Sequence, residues 1–193
     1  GKLRDDGTLF RLDETEYLIC CQERHLPWFL DSAQGYAVSV TEVTHALAAL
    51  SLQGPCSASV LRAAGFAIDT LKPFRLARFP FDGGTVTISR TGFTGDLGYE
   101  LWLEPHQALA LWDHLMVAGE PWGLRPIGTD ALDLARIEAG FLITNMDFIP
   151  VQQALREDRA RSPLEMGLGL MIDWDKGHFT GRRALLAERE AGP

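Results

Sequence analysis

The chain has 193 residues, with 18 Lys and Arg against 26 Asp and Glu, which gives a net charge of −8 at pH 7. This acidic balance argues against nonspecific nucleic-acid binding, which needs clustered basic residues to neutralise phosphates. No apolar run approaches the ~18 to 20 residues of a transmembrane helix, and the 46% of hydrophobic residues is typical of a folded domain with a core.

The first half of the chain is expected to contain more strands than helices. Its predicted elements, in chain order, are a hairpin of two strands over 8–12 and 16–20, a short helix over 26–32, a strand over 36–40, a buried apolar run over 46–53 and a helix over 55–64. The helix over 55–64 has Pro near its start and Gly just after its end, which is the usual asymmetry of helix termini.

The second half begins with strands and continues with helices. Its predicted elements are strands over 74–80 and 85–90 around a turn at 81–84, a strand over 98–104, and helices over 105–119, 127–139 and 181–190. Because strands and helices do not alternate strictly, this order favours an α+β fold over a parallel doubly wound sheet.

Cysteine and histidine residues show no metal-ligand spacing. An odd number of cysteines argues against a disulfide framework and favours a reducing, cytoplasmic location; the three are Cys20, Cys21 and Cys56. The histidines are expected on the surface or on helix faces; they are His25, His45, His106, His114 and His178. We therefore predict no metal site.

The segment 89–100 is rich in glycine and lies between two predicted strands. Three glycines within seven residues, Gly92, Gly95 and Gly98, indicate a tight loop with unusual dihedrals or close backbone approach. No Gly-Lys-Ser/Thr follows, so the segment is not a phosphate-binding loop, and the next element is a strand rather than the helix of a dinucleotide-binding motif. An ordinary hairpin loop is the alternative interpretation.

In the strand after this loop, alternation places Glu100 and Trp102 on the face opposite Tyr99, Leu101 and Leu103. A carboxylate beside an indole is either a solvated edge position or an acceptor inside an aromatic pocket. Such an acceptor suits a heterocycle with two adjacent N–H donors, since a carboxylate offers two oxygens in one plane.

The segment Arg-Thr-Gly-Phe-Thr-Gly-Asp-Leu-Gly-Tyr-Glu, residues 90–100, resembles the signature of the glycine-cleavage T-protein (aminomethyltransferase) family. This family also includes the folate-binding portions of sarcosine and dimethylglycine oxidising enzymes. Four other blocks agree with the family in the same order; they are 50–55 (ending in Gln-Gly-Pro), 128–140 (ending in Arg-Ile-Glu-Ala-Gly), 162–169 and 175–182.

The resemblance implies an α+β fold of the aminomethyltransferase folate-binding type. Residues 1–193 would form one partial domain that is incomplete at both ends and lacks the N-terminal portion and the C-terminal barrel of the family. The implied activity is transfer of a one-carbon unit to tetrahydrofolate from a small methylated amine or methyl ether, with a carrier protein or partner subunit as a further partner. The alternatives are a folate-binding module without transferase activity and the folate-receiving part of a flavin-dependent amine oxidase.

The resemblance also assigns candidate site residues. Glu100 would hold the pterin ring of tetrahydrofolate, with Trp102 on the same strand face. Asp5, the first of the pair Asp5-Asp6, would be the catalytic residue that orients the folate nitrogen and stabilises developing positive charge. Two acidic turn residues near a terminus are the alternative interpretation of this pair.

Two positions depart from the T-protein pattern. By the resemblance, Leu132 replaces an Arg of the family that contacts folate. Arg136 lies one helical turn later on the same helix face, so it could reach a similar anion. The favoured interpretation is that Arg136 has a structural role and pairs with Asp133. The family's Asn after its second strand falls near Cys21, whose thiol cannot replace an amide. Both departures favour a relative that acts on another methylated amine or on a methyl ether.

Overall fold

The computed structural model describes residues 1–192. In chain order the strands are β1 (Gly7–Arg11), β2 (Tyr17–Cys21), β3 (Ala48–Gln53), β4 (Leu76–Phe81), β5 (Gly84–Ser89) and β6 (Gly98–Leu103). The helices are α1 (Leu26–Ser32), α2 (Ser57–Ala63), α3 (Ala108–Gly119), α4 (Thr129–Ala139) and α5 (Arg182–Ala191). None of the described helices is both long enough and apolar enough to cross a membrane.

The chain divides into two compact units. The first contains Gly1–Tyr36 and the residues from Leu142 onward, and the second contains Ala37–Phe141. The prediction that residues 1–193 form a single partial domain stays a prediction.

The first unit contains an antiparallel hairpin of β1 and β2, in which Phe10 lies opposite Leu18. Phe10 is buried on one face of this hairpin, whereas Leu9 and Ile19 on the other face are exposed. The predicted hairpin and the predicted helix over 26–32 are confirmed, with strand ends displaced by one residue.

The second unit is built on a four-stranded antiparallel sheet of order β3-β6-β5-β4. Helices α2 and α3 pack with this sheet around one apolar core. Strands β4 and β5 are joined by Asp82 and Gly83, whose φ angles of 45° and 74° are positive, as a two-residue turn between twisted strands requires. The predicted turn at 81–84 is therefore confirmed.

Strand β6 lies inside this sheet, and its alternation is visible in the burial of its side chains. Tyr99, Leu101 and Leu103 are buried in the core, whereas Glu100 and Trp102 are half-buried on the opposite face. The predicted division of β6 into two faces is confirmed, as is the α+β class.

The predicted strand over 36–40 is wrong, because these residues form no strand. Tyr36 and Val38 are 72% and 59% exposed. Alternating apolar residues form a strand only when a neighbouring strand pairs with their backbone and a core covers their apolar face. This segment has neither within the described chain.

Candidate functional site

The glycine-rich loop of the second unit closes around the side chain of Gln53, the last residue of β3. A Cβ atom at either Gly92 or Gly98 would overlap the Gln53 amide, so glycine at both positions leaves room for this amide. The amide is held in place, because Thr94 Oγ1 donates to Gln53 Oε1 at 3.2 Å and Gln53 Nε2 donates to Ser51 Oγ at 3.0 Å. The sequence blocks 50–55 and 90–100 therefore pack directly against each other through the Gln53 side chain.

The same loop also packs against the end of α4. Gly95 has a φ of +74°, and a Cβ atom there would lie 2.6 Å from Ala139 Cβ. Phe93 stacks on Phe141, with ring centroids 5.2 Å apart and an interplanar angle of 26°. A third block, residues 128–140, therefore fixes the loop from another side, and the loop conformation is determined by packing.

Glu100 lies on β6, just after the glycine-rich loop, and hydrogen bonds hold its carboxylate in one orientation. Thr91 Oγ1 donates a short hydrogen bond to Glu100 Oε2, and Thr91 Oγ1 itself lies 2.7 Å from Ser89 Oγ. Ser89 is only 1% exposed. The two hydroxyls form a partly buried hydrogen-bonded chain that orients one carboxylate oxygen. The remaining acceptor capacity of Glu100 suits a planar pair of donors.

Trp102 lies two residues beyond Glu100 on the same face of β6. It is paired across the sheet with Ala49 of β3 and Thr87 of β5. The small side chains of both neighbours leave the indole as the largest group beside the carboxylate on this part of the sheet. The carboxylate of Glu100 and the indole of Trp102 therefore share one face of β6, as the alternation in the sequence predicted.

Arg136 is the third candidate ligand-binding residue of this unit, and its guanidinium is engaged within the protein. Its side chain is 3% exposed, and Nε donates to Asp133 Oδ1 at 2.7 Å. Nη1 donates to the Phe141 carbonyl at 3.0 Å. The predicted ion pair with Asp133 is present, and the arginine connects α4 to the residue that stacks on the glycine-rich loop.

In the first unit, the Asp5 carboxylate accepts hydrogen bonds on both oxygens, although its side chain is only 7% exposed. The hydroxyl of Thr144 at 2.5 Å and the Asp6 N–H at 2.9 Å bind Oδ1. The Glu23 N–H and His25 Nε2, both at 2.9 Å, bind Oδ2. These four donors come from three separate parts of the chain and fix the carboxylate in one orientation.

The pKa values of the neighbouring acids Asp5 and Asp6 are shifted in opposite directions. Burial alone would raise the pKa of Asp5, but the hydrogen bonds from Thr144, Glu23, Asp6 and His25 together outweigh it and hold that pKa below its ordinary value. Burial, with repulsion from Asp5 and Asp147, raises the pKa of Asp6. Asp5 is therefore a fixed anion at neutral pH and a poor proton acceptor.

Sequence reasoning missed two of the groups around Asp5. His25, expected on a surface or a helix face, has a side chain only 8% exposed and hydrogen-bonds Asp5. Thr144 lies 139 residues away in the chain, and nothing in its local sequence marks it. The histidine had a weak signal, since it lies in the short segment between α1 and β2, the strand that pairs with β1 after Asp5.

The position where the family pattern has an amide shows a different arrangement. Cys21 Sγ lies 3.3 Å from the Glu23 carbonyl, and burial raises the pKa of its thiol, which stays protonated at neutral pH. An amide is nevertheless close by, because Asn145 Nδ2 donates to Glu23 Oε1 at 2.8 Å. Within residues 1–192 no group of three or more His, Cys, Asp or Glu is arranged to hold a metal ion.

Comparison with known proteins places this geometry in a family. The model of the GCVT N-terminal domain matches residues 1–176. An aminomethyltransferase of Halothermothrix orenii is 36% identical over 197 residues, which cover 100% of this chain and 52% of that protein. An aminomethyltransferase of Moorella thermoacetica is 34% identical over 197 residues, and the matched region covers 100% of this chain and 51% of that protein.

A solved structure gives the same result for the fold. The crystal structure of glycine cleavage system aminomethyltransferase T from Bartonella henselae matches with a TM-score of 0.81 and 26% identity, over 98% of this chain and 50% of that one. The chain thus spans about half the length of the proteins that it matches. The resemblance inferred from the five sequence blocks is confirmed, and the chain belongs to the GCVT N-terminal domain family.

Proposed function

We propose that the natural protein containing this chain is a tetrahydrofolate-dependent aminomethyl- or methyltransferase. The observation that carries the proposal is that the Glu100 carboxylate accepts a hydrogen bond from Thr91 and shares one face of β6 with Trp102. The similarity to proteins named aminomethyltransferase supports the same reading.

The chemistry of Glu100 fits a pterin. The amino-pyrimidine edge of tetrahydrofolate presents two adjacent N–H donors, and a carboxylate accepts such a pair through two coplanar oxygens. When bound, tetrahydrofolate supplies the nitrogen that receives the one-carbon unit. Glu100 orients that group, and Trp102 offers its indole as an apolar surface beside it. Because Arg136 is buried in contacts with Asp133 and Phe141, we assign it a structural role that supports the loop.

Asp5 acts in this proposal as a fixed charge. During transfer the bond from the carbon to the donor nitrogen or oxygen breaks, the donor atom takes up a proton, and the folate nitrogen that gains the carbon loses one. Positive charge develops at the carbon while this happens. A carboxylate that is already oriented and ionised stabilises that charge without reorganising, which is the most effective form of electrostatic catalysis.

The proposal also extends to the molecule that supplies the one-carbon unit. By the resemblance to the T-protein pattern, Leu132 replaces an Arg and Cys21 lies near the position of an Asn. We therefore infer that the donor is a small methylated amine or a methyl ether, with an aminomethyl group on a carrier protein as the competing donor. Assaying both classes of donor with one preparation distinguishes them.

A second candidate function is a folate-binding module without transfer. One observation favours it: both oxygens of the Asp5 carboxylate already have two protein donors each, as the oxygens of a structural carboxylate would. Both candidates need Glu100, whereas only the transferase needs Asp5.

The first prediction concerns Glu100. Replacement Glu100→Ala removes a charge-assisted acceptor and should weaken tetrahydrofolate binding by roughly ten- to a hundredfold, which corresponds to about 1.5 to 3 kcal/mol. Calorimetric titration of the wild-type chain and the variant measures this change. Glu104→Ala is the matched control, because Glu104 directly follows the same strand and its side chain is 72% exposed. Equal affinity of wild type and Glu100→Ala would refute the proposed function.

A further inference from the structure

His25 is a buried histidine whose role the family resemblance does not assign. It occupies the N-cap position of α1, and its side chain is 8% exposed. Its ring packs edge-on against Phe29, with centroids 6.3 Å apart and an interplanar angle of 78°. This packing directs Nε2 toward Asp5 Oδ2 at 2.9 Å, and because an ionised carboxylate only accepts hydrogen bonds, Nε2 is the donor.

His25 differs in kind from the other donors to Asp5. Two of those donors are backbone N–H groups, of Asp6 and Glu23, and the third is the hydroxyl of Thr144. The imidazole is therefore the one donor of the four that can take up a further proton and become a cation. A neutral imidazole orients the carboxylate and leaves its negative charge in place, whereas an imidazolium at the same distance offsets that charge.

Apart from the neighbouring arginines Arg4 and Arg24, the ionisable groups near this pair are acids and thiols. Asp6 and Asp147 are acids, and the carboxylate of Glu23 receives a hydrogen bond from Asn145. The thiol of Cys21 stays protonated, because burial raises its pKa. A proton gained by His25 would therefore be the main change in positive charge beside Asp5.

We propose that His25 is a positioning residue for Asp5. In its neutral form it holds the carboxylate in the orientation used for one-carbon transfer, and in its protonated form it lowers the effective charge that Asp5 offers. This inference rests on the proposed function of Asp5 and adds a residue that determines the acid limit of the reaction.

The first test needs no activity. The Asp5 carboxyl is titrated by carbon-13 NMR in the 193-residue chain and in two variants. His25→Phe keeps a ring against Phe29 but removes the donor, so the pKa of Asp5 should rise by up to about one pH unit. His25→Gln keeps an N–H donor within reach and should show a smaller rise. His114→Gln is the control, since His114 Nε2 bonds the Ala64 carbonyl in the second unit, and it should leave Asp5 unchanged.

Thermal unfolding of each variant shows that the fold is kept. Should His25→Phe fail to fold, His25→Asn replaces it, because that amide is one methylene shorter than glutamine and does not reach Asp5. An Asp5 pKa that is the same in the wild type and in a folded variant without the donor would overturn the proposal.

The second test is the pH dependence of one-carbon transfer in the natural protein that contains this chain. At about pH 8, His25→Gln should keep kcat and KM within about threefold of the wild type, whereas His25→Phe should lower kcat about tenfold or more. As the pH is lowered, the wild type should lose kcat and His25→Gln should lose less, because the glutamine amide does not take up a proton. An acid limb that is identical in both would overturn the proposal. A wild type without any transfer would instead refute the proposed function, while the Asp5 titration still decides the role of His25.

Discussion

At the scale of single residues, each candidate carboxylate is oriented by hydrogen bonds from other side chains of the same unit. Glu100 depends on the hydroxyls of Thr91 and Ser89, and Asp5 depends on Thr144 and His25. Charged groups held in place before a ligand arrives bind or stabilise it without paying for reorganisation on each encounter. The functional unit at this scale is therefore a carboxylate together with its hydrogen-bond donors.

Thr91 gives this idea a direct test. Replacement Thr91→Val keeps the shape of the side chain but removes the hydroxyl that donates to Glu100, so the carboxylate loses its fixed orientation and tetrahydrofolate binding should weaken about three- to tenfold. Thr91→Ser keeps the hydroxyl and should bind nearly as the wild type does. Calorimetric titration of the three proteins measures the difference. If valine and serine behave alike at this position, the hydroxyl has no role in orienting Glu100.

At the scale of elements, three separate sequence blocks form one packed arrangement around the glycine-rich loop. The Gln53 side chain of β3 fills the space that Gly92 and Gly98 leave open, and Ala139 at the end of α4 lies against Gly95. These contacts fill the space around the loop, and its glycines permit close approach as much as unusual dihedrals.

The close approach of Gly98 to Gln53 predicts a coupling between the two positions. Gly98→Ala places a methyl group on the Gln53 amide and should lower the free energy of unfolding by about 1 to 3 kcal/mol, as overpacking does. In a Gln53→Ala background the same replacement should cost clearly less, because the amide is gone. Denaturant unfolding of the two single variants and the double variant completes the thermodynamic cycle. Additive effects would show that the two residues do not compete for space.

The strands and helices that the sequence predicted are those in which local pattern and burial agree. The alternation of residues 99–103 identified both faces of β6 because a core covers one of them. The segment 36–40 has the same alternation but no neighbouring strand, so its pattern was misleading. Thr144 and His25 were not identified as partners of Asp5, because side-chain contacts between distant residues leave no periodic signal in the sequence.

At the scale of the whole molecule, the two candidate carboxylates belong to different compact units. Asp5 lies in the unit that includes Gly1–Tyr36, and Glu100 lies in Ala37–Phe141. Each carboxylate has its own set of hydrogen-bond donors within its own unit. Binding and transfer are therefore expected to respond separately to replacement of the two residues.

The replacement Asp5→Asn tests this separation. It keeps the size of the side chain and removes the charge, so tetrahydrofolate affinity, for which we propose Glu100 of the other unit, should stay within about twofold of the wild type. Transfer should slow by about a hundredfold or more, because a group that acts on developing charge stabilises the transition state and not the ground state. Single-turnover transfer from a methylated amine or a methyl ether, in the natural protein that contains this chain, measures the rate. An unchanged rate would make Asp5 a structural carboxylate and would favour the folate-binding module.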